Sequence, residues 1–117
     1  DGKSVLRRWD LAQPGAGSVR VRPMEVTDAV DTPSGLGTRP GFVYADDKDR
    51  FYAWGGGRDI HVFDPTSQRW TRHQATGDDP GDQQRWGTFG RFRYSSARKV
   101  FVLTNRTTQN VFIYKPQ

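Results

Sequence analysis

The chain alternates apolar and polar residues in short runs, and the runs recur. In 91–94, Phe92 and Tyr94 fall on one side of an extended backbone, Arg91 and Arg93 on the other. The following run, 99–103, is apolar on both sides, with Val100 and Val102 alternating with Phe101 and Leu103. The same holds at 51–54, where Phe51 and Ala53 oppose Tyr52 and Trp54, and at 60–63, where Ile60 and Val62 oppose His61 and Phe63. Strands apolar on both faces are covered on both faces, so the predicted sheets lie between other layers. Turn residues separate the runs, as in "SSAR" (95–98) and "DPTSQ" (64–68). The chain's 13 glycines and 7 prolines point the same way, to short strands and tight connections instead of long helices.

Self-comparison turns the runs into a repeat. Residues 41–65 lie over 91–116: Phe42 matches Phe92, Tyr44 matches Tyr94 and Phe51 matches Phe101, all at an offset of 50. Past the loop, Ile60, Val62 and Phe63 match Val111, Ile113 and Tyr114 at an offset of 51. The later unit reads as strands at 91–94, 99–103 and 110–114, with a polar loop at 106–109. The earlier unit has a fourth strand at 69–73. Near the start, 5–11 resembles 59–65 and reads as a strand, followed by another at about 18–26. Antiparallel meanders that repeat at roughly 50 residues and stack face to face predict a β-propeller.

Several of these positions carry a family pattern. Gly55 and Gly56 end the second strand of the earlier unit, Phe63 is the aromatic after them, and Trp70 follows with six residues between. In the later unit Asn105 and Arg106 replace the glycines, Tyr114 keeps the aromatic place, and the tryptophan would fall past Gln117. This pattern resembles the kelch-type propellers, the class that includes the central domain of galactose oxidase. The resemblance covers 41–117, with a fainter trace over 5–30, and the end of the chain is similar to the closing blade of bacterial kelch-like proteins. It implies an all-β propeller segment of about two and a half four-stranded antiparallel blades. Residues 1–40 would hold the third and fourth strands of a partial blade and a connecting loop, 41–89 a complete blade and loop, and 90–117 three strands of a final blade. A ring needs about four to eight blades, so the segment is not a closed ring by itself. Remaining blades or a partner chain are the expected partners, and a far N-terminal strand is expected to finish the last blade.

Charge and composition narrow the chemistry. The net charge of +5, from 18 Lys+Arg against 13 Asp+Glu, is spread singly and not in a block, which argues against a nucleic-acid footprint. The absence of cysteine removes disulfides, thiolate nucleophiles, cysteine-ligated metals and the cysteine of an oxidase copper site. His61 and His73 are not paired at metal-ligand spacing. No cofactor and no catalytic activity are therefore expected of this segment. No apolar run approaches the roughly 18 residues of a membrane span, and no leader pattern opens the chain. The resemblance places the protein outside a bacterial cell, secreted or extracellular.

Three stretches remain as candidate sites. "GDDPGD" (77–82) offers carboxylates for calcium or for acid–base work, but without regular ligand alternation it reads as a solvated loop. "NRT" (105–107) fits the N-glycosylation pattern and is also read as a loop. Arg85, Trp86, Arg91 and Arg93 form the most interesting set, because guanidinium and aromatic planes together suit sugars, carboxylates and phosphates. The plainer reading, which the sequence alone favours, packs Trp86 between blades and pairs the arginines with carboxylates of neighbouring blades. Trp54 and Trp70 are expected in the core. The expected function is a non-catalytic scaffold binding an extracellular glycan or protein. The alternatives are a purely structural subunit of a larger assembly, or part of a kelch-domain oxidase whose catalytic residues lie elsewhere.

Overall fold

The computed structural model describes residues 6–8, 24–25 and 31–116. Its strands are β1 (Arg7–Arg8), β2 (Met24–Glu25), β3 (Gly41–Ala45), β4 (Arg50–Trp54), β5 (Asp59–Asp64), β6 (Arg69–Gln74), β7 (Phe92–Ser95), β8 (Val100–Leu103) and β9 (Phe112–Tyr114). β1 pairs with β2, β3 to β6 form a four-stranded meander, and β7 to β9 form a three-stranded one. Every pairing is antiparallel. The described residues contain no α-helix, only a 3-10 turn at Phe89–Arg91. The all-β, antiparallel character expected from the alternation is thus what the described residues adopt.

Strand ends differ from the expected ones for local reasons. Arg91 belongs to the 3-10 turn, so the strand placed at 91–94 starts at Phe92. Lys99 has a φ of 57° and closes the hairpin turn, so β8 starts at Val100. The expected third strand at 110–114 begins only at Phe112, and the outer strand of the earlier unit runs on to Gln74. Of the strands expected at 5–11 and 18–26, the described parts pair as β1 and β2, and the rest lies outside the described residues.

The repeat survives at the level of backbone geometry. Tyr44 faces Phe51 across the first hairpin, and Tyr94 faces Phe101 across its counterpart. Phe51 then faces Phe63, and Phe101 faces Tyr114. The left-handed residues recur as well. Asp49 and Lys99 have φ of 50° and 57°, and Arg39 and Phe89 have φ of 56° and 51°, each pair 50 positions apart.

The two larger sheets pack face to back. Tyr52, Trp54, Ile60 and Val62 on one side of the four-stranded sheet meet Phe92, Phe101 and Leu103, with Tyr94, Phe112 and Tyr114 around them. Phe101 is fully buried and central to this layer. Its ring lies 4.3 Å from Tyr52, 4.6 Å from Tyr94, 5.3 Å from Phe92 and 5.9 Å from Tyr114, centroid to centroid. β7 can lie this close to β3 because Gly41 has no side chain: a Cβ there would sit 2.5 Å from the Phe92 Cβ. The opposite side of the four-stranded sheet holds a second core of Leu36, Ala53, Phe63 and Trp70, flanked by Leu6 and Phe51. Both faces of β4 and β5 are therefore covered, as their two-sided apolar pattern requires.

A polar tie joins the sheets at one edge. Asp47, in the β3–β4 turn, accepts a 2.7 Å hydrogen bond from the Tyr94 hydroxyl and a 2.5 Å ion pair from Lys99 Nζ. Lys99, then Tyr94, hold the Asp47 carboxyl below its ordinary value. Burial, then the bond to Asp47, pushes the Tyr94 phenol up to about 12. A lowered carboxylate stabilises the fold above its unfolded-state value of about 3.9, and that contribution is lost as pH falls through the folded value. A raised phenol contributes fully below about 10, and its contribution is lost as pH rises towards the folded value. The melting-temperature advantage of the wild type over Asp47→Asn should therefore be full near neutrality and vanish in acid. Its advantage over Tyr94→Phe should fall in acid, as the Asp47 acceptor is protonated, and again above about pH 10. Differences that do not change with pH would contradict the tie.

Candidate functional site

The loop between the sheets, 75–91, is held by side chains that reach backward and forward along the chain. Gln83 Nε2 donates to the carbonyls of Thr38 at 3.0 Å and Leu36 at 3.4 Å. Thr88, wholly buried, donates its hydroxyl to Gln83 Oε1 at 2.9 Å, and its N–H donates to the Arg39 carbonyl. Arg91 donates Nε to the Thr88 carbonyl and Nη2 to that of Gly87. Asn105, 1% exposed, donates Nδ2 to the carbonyls of Pro80 and Asp82 at 3.0 and 2.9 Å. These bonds fix the backbone while leaving two large rings outside: Trp86 is 67% exposed and Phe89 57%.

Each of those rings lies beneath a guanidinium. The Arg85 Cζ stands 4.8 Å from the Trp86 ring centre, and the Arg39 Cζ stands 5.8 Å from that of Phe89. Both distances fall within cation–π range. Arg39, Arg85, Arg91 and Arg93 form no ion pair among the described residues; Arg50, Arg69, Arg72 and Lys99 do. Phe89 holds a left-handed φ of 51°, a costly conformation for a bulky residue and one that tends to persist where a loop must present a side chain. The resulting surface has two exposed aromatic planes with cations beside them, on a loop with little freedom left to lose. It can stack on flat or C–H-rich ligand faces and donate to their oxygens.

The four site residues read from the sequence do not all converge. Arg85 and Trp86 sit together on the loop as expected. Arg91 is not on a strand: its guanidinium is taken up by two loop carbonyls, which makes it a positioning residue. Arg93 lies on β7 opposite Val102, exposed on the outer side of the three-stranded sheet. Within the described residues Trp86 packs between no sheets and these arginines pair with no carboxylate; the plainer reading places those partners on neighbouring blades.

Arg39 and Phe89 were missed, although a signal existed. Trp86-Gly87-Thr88 repeats Leu36-Gly37-Thr38 at the same offset of 50 as the strands. Leu36 is 4% exposed, because Gly55 lets its backbone lie against β4; a Cβ at Gly55 would be 2.3 Å from the Leu36 carbonyl oxygen. Asn105 takes the place of Gly55 in the later unit, and its side chain gathers the Pro80 and Asp82 carbonyls there. Trp86, the counterpart of Leu36, stands in solvent.

The remaining pattern residues fall into structural places. Gly56 bridges to Asp82, Phe63 and Trp70 meet with tilted rings 5.0 Å apart in the second core, and Tyr114 is half-buried in the inter-sheet layer. Trp54 is 1% exposed and donates Nε1 to the Gly57 carbonyl. In the "GDDPGD" loop Asp79 accepts from the Gly81 N–H, a turn role. The glycosylation pattern at Asn105 has its amide nitrogen inside, committed to two carbonyls, so the folded chain does not offer it for modification. Comparison with protein-family models, with curated proteins and with solved structures finds no match to this chain.

The contrast between Trp70 and Trp86 is measurable. Trp70→Ala should cost about 3–5 kcal/mol, as for a buried large aromatic. Trp86→Ala should change stability by roughly 0.5 kcal/mol or less. Urea denaturation of both variants checks this, and equal losses would make Trp86 part of the core.

Proposed function

We propose that the chain is a segment of a kelch-type β-propeller, and that it is a non-catalytic binding scaffold. Its ligand is an extracellular glycan or protein, recognised by the loop that carries Arg85, Trp86 and Phe89, together with Arg39 from the segment before β3. The observation that carries the reading is the exposed Trp86–Phe89 pair, each ring under its own guanidinium, on a loop pinned by Gln83, Thr88 and Arg91. Exposed rings normally cost a soluble protein, and rings held rigidly outward favour contact with a partner. The propeller reading draws on the face-to-back packing of two meanders that share one register and one set of left-handed residues.

A second reading, a structural subunit completed by further blades or another chain, has its own observation. Phe42 and Tyr44 on one outer face are each 43% exposed, and Val111 and Ile113 on the other are 52% and 61% exposed. In the repeat, Phe42 and Tyr44 correspond to Phe92 and Tyr94 of the inter-sheet core, and Val111 and Ile113 to Ile60 and Val62. The two outer faces thus have the chemistry of the two halves of the interface already formed.

A glycan array probed with the chain and its Trp86→Ala variant tests the first reading. Binding that disappears in the variant, at unchanged melting temperature, is the expected result; binding that persists removes the loop from the site. Sedimentation velocity tests the second. The chain alone should associate with rising concentration, and Ile113→Lys should weaken the association. A monomer at all concentrations would show that its outer faces need no cover.

A further inference from the structure

The four-stranded sheet departs from its own repeat along β5. At the offset of 51 that relates Ile60 to Val111 and Phe63 to Tyr114, His61 stands where the later unit has Phe112, and Asp59 where it has Asn110. Phe112 packs against the inter-sheet core. His61 instead borders a half-open cleft of about 300 Å³. The segment 33–36 forms one side of this cleft, Gly55 its end, and Asp59, His61 and Arg72 the sheet side. The cleft exists because Gly55 draws the Leu36 backbone onto the end of β4, while β5 and β6 set His61 opposite Arg72. It is separate from the Trp86 loop, none of whose exposed aromatic or basic residues borders it.

The polar groups of the cleft are incompletely satisfied. Arg72 Nη1 reaches Asp59 Oδ2 only at 3.4 Å, and Asp59 Oδ1 is buried without a donor. A buried acceptor in this state gains from any donor brought to it. Burial holds His61 below its ordinary value, so the imidazole is neutral near pH 7 and offers one donor and one acceptor. One carboxylate, one guanidinium and one neutral imidazole sum to no net charge. A metal cation would meet Arg72, and a free anion would meet Asp59. A neutral ligand with many hydroxyls meets neither objection: its hydroxyls donate to Asp59, accept from Arg72 and do either with His61. The volume lies at the lower end of small-molecule sites, roughly 300–1,000 Å³, which suits a single sugar ring better than an extended chain.

We propose that this cleft binds one neutral pyranose ring, with Asp59, His61 and Arg72 as its hydrogen-bonding residues. Saturation-transfer NMR tests it, because the signal is read on the ligand and tolerates association of the protein. The probes are the methyl glycosides of glucose, galactose and mannose, with free glycine and inorganic phosphate as ionic controls. At least one glycoside should show saturable transfer, weakened about tenfold or more by His61→Phe, which installs the residue the repeat supplies, and by Asp59→Asn. Arg72→Gln, at a side chain 65% exposed, keeps the test decisive should His61→Phe fail to fold. Arg98→Gln, in the exposed turn between β7 and β8, should leave the signal intact. No transfer to any glycoside, transfer unchanged in the variants, or saturable binding of glycine or phosphate instead would overturn the proposal.

Discussion

The docking of one sheet onto the back of another through the Phe101 ring is the contact on which the rest of the structure depends. Four aromatic rings surround it, one from the four-stranded sheet and three from its own. Such pairs add about 0.5–1.5 kcal/mol each beyond the area they bury. A three-stranded meander with a polar loop between its last strands has little reason to persist alone. Here one of its faces is covered around Phe101. The same docking brings β7 alongside β3 and sets the path of the connecting loop. That loop must cross from the end of β6 to the start of β7, and its bonds to Leu36, Thr38 and Arg39 form only because those segments are neighbours.

The arrangement is head to tail and not symmetric. An aliphatic and Tyr–Trp face of one meander receives the phenyl and phenol face of the next, so an aromatic face is left at one end and an aliphatic face at the other. Interfaces of this heterologous kind continue until they close on themselves or are capped. Association through the outer faces and recognition by the loop are therefore compatible. One concerns the flat sides of the sheets, the other the ends of their strands.

Much of this architecture was legible in the residues. Period-two alternation gave the strands, and runs apolar on both faces gave the layering, because each face of β4 and β5 needs its own cover. Boundaries slipped where a single residue adopts a left-handed or 3-10 conformation, as at Arg91 and Lys99, which residue type does not announce. The site was less legible. Arg85 and Trp86 were visible as residue types, but Arg93, grouped with them for its guanidinium, lies opposite Val102 on the outer face of the three-stranded sheet. Arg39 lies far away in the chain and joins through one backbone hydrogen bond with Thr88 and its guanidinium over Phe89. The His61 cleft depends on Gly55 admitting a distant backbone, a contact that no local pattern encodes.

A double-mutant cycle between Tyr52 and Phe101 tests the central contact most directly. Each is truncated to leucine alone and together, and stability is read by urea denaturation. Rings 4.3 Å apart across the two sheets should show a coupling of about 0.5–1.5 kcal/mol. Additive losses would contradict it: the sheets would then not be docked through these rings, and neither the loop nor the outer faces would be held as described.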